Sequence, residues 1–106
     1  GLTEQTANDR GLNVKVGRFN YSANGKALAA GEGEGFVKTI FDQETGELLG
    51  AHIIGADATE MITTFVLGKS MECTEEDITH ACLPHPTLSE MIAEATLDSD
   101  GRALNA

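Results

Sequence analysis

The sequence predicts an α+β fold, an antiparallel β-sheet with helices segregated against it. Three observations carry that prediction. Two strand-forming runs, Phe36–Phe41 and Leu48–Ile54, flank the polar segment Asp42-Gln43-Glu44-Thr45-Gly46-Glu47, which reads as a hairpin turn closed by Gly46. An earlier stretch, from Leu12 and Val14 to about Asn20, alternates apolar residues with Lys15 and Arg18, as a half-buried strand does. The second half carries no such alternation and instead repeats a helix-start signal three times.

Each element follows from local chemistry. Thr3 to Arg10 is polar and helix-compatible, with Thr3 as N-cap and Gly11 as the stop. The strand to Asn20 comes next. Ser22 to Gly35 is a glycine-punctuated loop with one helical turn around Lys26 to Ala30. The hairpin follows, its strands rich in Phe, Ile, Val and Thr. Three helices then start at Asp57, Thr74 and Thr87, each a capping residue followed three positions later by an acid: Glu60, Asp77 and Glu90. Acids in the first turn also suit the helix dipole. The first helix shows Met61, Ile62, Phe65 and Val66, broadened by Leu67 and Met71. So wide an apolar arc suits a helix packed on two sides, as at a subunit interface. The third helix buries Leu88, Met91, Ile92 and Ala95. Asp98 to Ala106 reads as a tail.

Bulk composition sets the outer limits. The chain of 106 residues fits one domain, with 41% hydrophobic residues but no Trp and one Tyr, so aliphatic side chains supply most of the core. A formal net charge of -10 argues against nucleic acid, whose phosphates need Lys and Arg, and against anionic lipid. No apolar run approaches the roughly 20 residues of a membrane-spanning helix. Gly1-Leu2-Thr3-Glu4 is neither basic nor apolar enough for a targeting peptide. Cys73 and Cys82, without a Cys-x-x-Cys, read as two reduced, partly buried thiols.

The candidate site is His85-Pro86-Thr87-Leu88-Ser89-Glu90. It sets an imidazole beside a proline-stiffened turn and a carboxylate five residues on. A base held still in one tautomer needs that arrangement. The same residues also read as a turn histidine followed by a plain Thr87–Glu90 capping box. Spacing alone leaves both readings open, because a carboxylate folded back to the helix start lies near the preceding ring in either case.

Other candidates carry less. His52, between Ala51 and Ile53, reads as a structural histidine hydrogen-bonded within the fold. His80, Cys82 and His85 match no structural zinc spacing, since a second close ligand pair is missing, so no metal is expected. Gly31-Glu32-Gly33-Glu34-Gly35 is not Gly-x-Gly-x-x-Gly, and its two acids would repel phosphate.

The stretch from His85 to Glu90 resembles the histidine–glutamate signature near the C-terminus of dihydrolipoamide dehydrogenases, a branch of the flavin-dependent disulfide oxidoreductases. Gly1-Leu2-Thr3-Glu4, Gly35-Phe36-Val37-Lys38 and Leu49-Gly50-Ala51-His52-Ile53-Ile54-Gly55 resemble further stretches of that family's interface domain, in the same order. The resemblance covers nearly the whole chain. One position departs from it: many members carry a second histidine where this chain has Leu83, and His80 is no obvious substitute.

The resemblance implies that residues 1–106 are the C-terminal dimerisation domain of a longer flavoenzyme. It implies that His85 and Glu90 are a catalytic acid/base pair serving the partner subunit, and that the parent oxidises dihydrolipoamide with FAD and NAD. The flavin fingerprint and the redox Cys-x-x-x-x-Cys of the family are not in this sequence, so the chain alone is expected to bind neither cofactor. The implied partners are a second subunit and lipoyl-bearing 2-oxoacid dehydrogenase complexes. The implied compartment is the bacterial cytoplasm or the mitochondrial matrix. The resemblance also allows a cis bond before Pro86. Two rivals are a stand-alone dimerisation or scaffold module without catalysis, and the interface domain of a related disulfide reductase.

Overall fold

The structure, a computed structural model, describes residues 1–100. Its elements run α1 (Glu4–Asp9), β1 (Val14–Asn20), a 3-10 turn (Tyr21–Ala23), α2 (Gly25–Ala29), β2 (Gly35–Asp42), β3 (Leu48–Gly55), α3 (Ala58–Ser70), α4 (Glu75–Thr79) and α5 (Glu90–Asp98). The strands form one antiparallel sheet in the order β1-β2-β3. The α+β class and the hairpin are therefore as the sequence predicts.

The hairpin turn forms because Asp42 supplies its own closure. One carboxylate oxygen accepts from the backbone N–H of Glu44 at 2.8 Å and of Thr45 at 2.9 Å. Those two bonds hold the Asp42 carboxyl below its ordinary range. Gly46 takes the left-handed backbone that completes the turn, at φ +77°. At Ile40/Phe41 the β2–β3 register skips Leu49; Ile40 and Phe41 are both fully buried because both faces of the sheet are covered.

Two faces of the sheet are covered. On one, α3 lies against β3 and α5 against β1 and β2. The core between them joins Phe19, Val37, Phe41, Leu48, Met61, Phe65, Met91, Ile92 and Ala95. On the other lie α1 and the residues before it. Lys38 pairs with Glu4 at 2.8 Å, and the Leu2 carbonyl packs against Gly50. Nε2 of His52 donates to that carbonyl at 3.1 Å, the structural role expected of His52.

Gly17 sets how closely α5 approaches. A Cβ at this position would stand 1.9 Å from the Ala95 carbonyl oxygen and 2.8 Å from the Ser99 backbone nitrogen. Only glycine lets the helix backbone settle on β1. Just beyond the contact, Asp98 accepts from the Arg18 N–H at 2.9 Å. Lys15 pairs with Glu75, and with Asp100 at 2.9 Å.

Tyr21 closes the core at the other end. It is fully buried, and its hydroxyl donates to the Ala56 carbonyl at 2.6 Å. Its ring lies against Gly55, where a Cβ would meet it at 2.6 Å.

Several expectations need correction. Asp57 does not cap α3 with its side chain; it adopts the left-handed backbone (φ 58°) that turns the chain out of β3, and only its carbonyl serves the helix. α5 begins at Glu90, later than a Thr87 cap predicts, because the Thr87 hydroxyl donates instead to the Pro84 carbonyl at 2.8 Å. Residues 98–100 are not tail: Asp98 ends α5, and Asp98 and Asp100 hold β1. The rest of the expected tail, residues 101–106, lies outside the described residues. The Tyr21–Ala23 turn was not expected, and α2 begins one residue earlier than predicted.

α3 divides its apolar arc. Met61 and Phe65 enter the core with Ile62 beside them, while Val66, Leu67 and Met71 are 60–71% exposed. Among the described residues, no helix is long and apolar enough to cross a membrane.

Candidate functional site

The segment between α4 and α5 owes its shape to its two prolines. Neither can donate a backbone hydrogen bond, so regular structure stops after His80. The His85–Pro86 bond is cis. Thr87 offers the first backbone N–H after His85, and this group donates to Oε1 of Glu90 at 2.9 Å. The carboxylate thus folds back from the first residue of its helix onto the loop before it.

The same carboxylate also meets the ring. Nδ1 of His85 lies 2.9 Å from Oε1 and 3.1 Å from Oε2 of Glu90. One carboxylate therefore holds loop and ring together, because Oε1 accepts from Thr87 and His85 alike, whereas Thr87, outside α5, forms no capping box. Since the carboxylate accepts, Nδ1 carries the proton and Nε2 of the neutral ring is left as the basic atom. The His85 side chain is 78% exposed, so little packing holds it and hydrogen bonds fix its direction. Beside it lies a cavity of about 290 Å³, lined by Phe19, Asn24 and Leu28 together with His85, Glu90 and Glu94.

The electrostatics suit an acid/base pair. Partial burial pushes the Glu90 carboxyl up, but the Thr87 N–H and then His85 outweigh it, so the group sits below its ordinary value of 4.5. It is a carboxylate at neutral pH and stabilises positive charge on the ring. A lowered folded-state pKa has a definite sign in stability. The contribution is fully present above the unfolded value and is lost as pH falls through the lower folded one. Glu90→Gln should therefore flatten the acid dependence below about pH 4.5. Urea midpoints of parent and variant across an acid series should converge as pH falls; parallel curves would remove the linkage.

The remaining candidates do not join this site. His80 ends α4, exposed, away from the His85–Glu90 pair in sequence and without a bond to it. Cys73 is half-buried and Cys82 is exposed, which corrects the expectation that both are partly buried; both are free thiols. Burial, then Asp77 and Glu47, push the Cys73 thiol up, away from nucleophilic thiolate. Among the described residues no three His, Cys, Asp or Glu side chains gather as a metal-holding group. Gly35 belongs to β2, paired with Gly55, where a Cβ would strike the Ile54 carbonyl at 2.1 Å. The glycine that opens the hairpin therefore serves close strand pairing.

Asn24 is the residue that sequence reasoning missed. It is buried, N-caps α2 and lines the His85 cavity. Its signal was present: an Asn directly before Gly25-Lys26-Ala27-Leu28, a short helix-compatible run.

Residues 1–96 match the family described as pyridine nucleotide-disulphide oxidoreductase, dimerisation domain. The chain is 56% identical over 106 residues to a dihydrolipoyl dehydrogenase of Rhizobium etli and 51% identical over 105 residues to one of Zymomonas mobilis. A dihydrolipoyl dehydrogenase of Bacillus subtilis is 47% identical over 105 residues. These alignments cover 99–100% of this chain but 22% of each relative, so the chain spans about a fifth of their length. Among solved structures, the HOCl-induced flavoprotein disulfide reductase RclA of Escherichia coli superposes with a TM-score of 0.86 at 25% identity, over 91% of this chain and 22% of that one. LpdA of Mycobacterium tuberculosis shares the fold, with a TM-score of 0.85 at 21% identity, over 91% of this chain and 21% of that one.

Proposed function

This chain belongs to the dimerisation-domain family of the pyridine nucleotide-disulphide oxidoreductases, and from that premise we propose that it is the interface domain of a dihydrolipoyl dehydrogenase. In that reading it pairs two subunits and supplies His85 and Glu90 to the partner's disulfide site. The observation that carries the reading is the bond from His85 Nδ1 to a Glu90 carboxylate already fixed by the Thr87 N–H.

The chemistry asks for such a base. A substrate alkyl thiol is mostly protonated at neutral pH, and only its thiolate attacks a disulfide. Nε2 takes the thiol proton; the S–H bond breaks and an N–H bond forms. The thiolate then bonds one sulfur of the redox disulfide and releases the other as thiolate. The ring, now cationic, stays beside the sulfurs, and Glu90 offsets its charge.

The flavin and nicotinamide sites of such an enzyme would lie outside this chain. The chain's own glycine cluster leads into strand pairing at Gly35 and carries Glu32 and Glu34, so it does not fit a nucleotide phosphate. Val66, Leu67 and Met71 give α3 an outer apolar face suited to a second copy. The parent's partners in this reading are lipoyl-bearing 2-oxoacid dehydrogenase complexes, in a reducing compartment.

The test mixes two dead enzymes, one carrying His85→Ala and one lacking its redox cysteines. A purified heterodimer has one complete composite site if His85 serves the partner. It should then show about half of wild-type turnover, as two-fold symmetry requires. A heterodimer that stays dead would overturn the shared site. Activity independent of His85 would leave only a scaffold.

A further inference from the structure

We propose that Asn24 is a positioning residue for His85, acting through the backbone around Thr87; the inference rests on the reading of His85 as the base. Asn24 is 6% exposed and its carboxamide is held at both ends. Its Oδ1 accepts from the Ala27 N–H at 2.9 Å, and its Nδ2 donates to the Thr87 carbonyl at 3.0 Å. The two partners fix the orientation of the amide, because an N–H must meet oxygen and a carbonyl must meet a donor.

The second of these bonds leaves the local helix and crosses 63 positions of sequence to the His85 loop. Thr87 is thereby held on both sides. Its N–H goes to Glu90 Oε1, its carbonyl goes to Asn24, and its hydroxyl donates to the Pro84 carbonyl. The oxygen that receives the Thr87 N–H also receives His85 Nδ1. Any shift of Thr87 therefore moves the carboxylate that aims the ring. Asn24 is itself anchored, since its own N–H donates to the carbonyl of buried Tyr21 at 2.9 Å. The core thus reaches the exposed imidazole through four groups: Tyr21, Asn24, the peptides flanking Thr87, and Glu90.

Capping and positioning separate by mutation. Asn24→Ser keeps a good acceptor for Ala27 but is too short to tether Thr87. In the full-length enzyme it should slow the dihydrolipoamide half-reaction about ten- to a hundredfold, as loss of orientation does. Flavin reduction by NADH should keep its rate. In a His85→Ala background the same substitution should cost nothing further, because its effect passes through the ring. An additive loss there, equal damage to both half-reactions, or no loss in the single variant would each overturn the proposal. His85→Ala at the full rate would sink the base and Asn24 together; a slow His85→Ala beside a fast Asn24→Ser sinks Asn24 alone. Should Asn24→Ser fail to fold, Asn24→Asp keeps the shape and the cap, replaces the donor with oxygen, and is read by the same outcomes.

Discussion

Replacing His85 with alanine in the full-length enzyme is expected to slow the dihydrolipoamide half-reaction by about 10²–10⁴-fold, the range of a well-placed general base. Reduction of the enzyme by NADH should continue at nearly its normal rate, because that step moves no proton from a substrate thiol. Stopped-flow measurement of the two half-reactions makes the comparison. Glu90→Gln should slow the first by less, since the ring remains and the Thr87 N–H still finds an oxygen. Raising the pH should partly restore His85→Ala, because more of the substrate is then thiolate without help. Equal slowing of both half-reactions would mark His85 as structural. The side chain is 78% exposed, so folding should tolerate its loss and a collapse of the whole enzyme is not expected.

Gly17→Val should destabilise the fold severely. The new Cβ would stand 1.9 Å from the Ala95 carbonyl oxygen, and the atom it meets is helix backbone, which cannot rotate away. Overpacking costs about 1–3 kcal/mol where side chains can yield and more where they cannot, so about 3 kcal/mol or more is expected. Urea unfolding of the chain carrying the substitution measures it. Gly25 is the control: a Cβ there meets nothing within 4 Å. Gly25→Ala should be neutral or stabilising by about 0.5 kcal/mol, through a less flexible unfolded chain. Comparable losses at the two positions would mean that α5 does not rest on β1 as described. The effect should also reach the site, because α5 begins with Glu90.

Local chemistry explains which parts of this fold were legible. The Asp42–Glu47 turn and its flanking strands were, because turn residues and strand formers agree along the whole hairpin. α1 was, because the Thr3 hydroxyl does cap it, accepting from the Thr6 N–H at 3.0 Å. The helix starts were legible only where short-range contacts decide them. Thr74 matches the pattern, with Asp77 accepting from its N–H at 2.8 Å. Asp57 and Thr87 share the pattern but not the outcome. At Asp57 the chain must reverse out of β3, and a left-handed residue does that. At Thr87 the nearby Pro84 carbonyl takes the hydroxyl.

The site divides in the same way. His85 and Glu90 lie five apart, and their meeting could be drawn from spacing. Asn24 could not be connected to them, because its bond to Thr87 depends on β1, α2 and α5 assembling first. The close approach of α5 at Gly17 was equally invisible, since a glycine inside a strand pattern does not say which backbone it admits.

Tyr21 gives the chain a built-in optical reporter. With no tryptophan and a single tyrosine, all phenolic emission comes from one ring. That ring is seated where β3 hands over to α3, its hydroxyl bonded to the Ala56 carbonyl and 3.8 Å from the Met61 sulfur. Asn24 is three residues away. Near-ultraviolet dichroism and tyrosine fluorescence therefore follow the seating of one defined joint, without a label and without competing emission from elsewhere in the chain. Burial, with Asp57 and Glu32 nearby, also holds the phenol above its ordinary titration range. Alkaline ionisation watched by absorbance would thus report the opening of this joint.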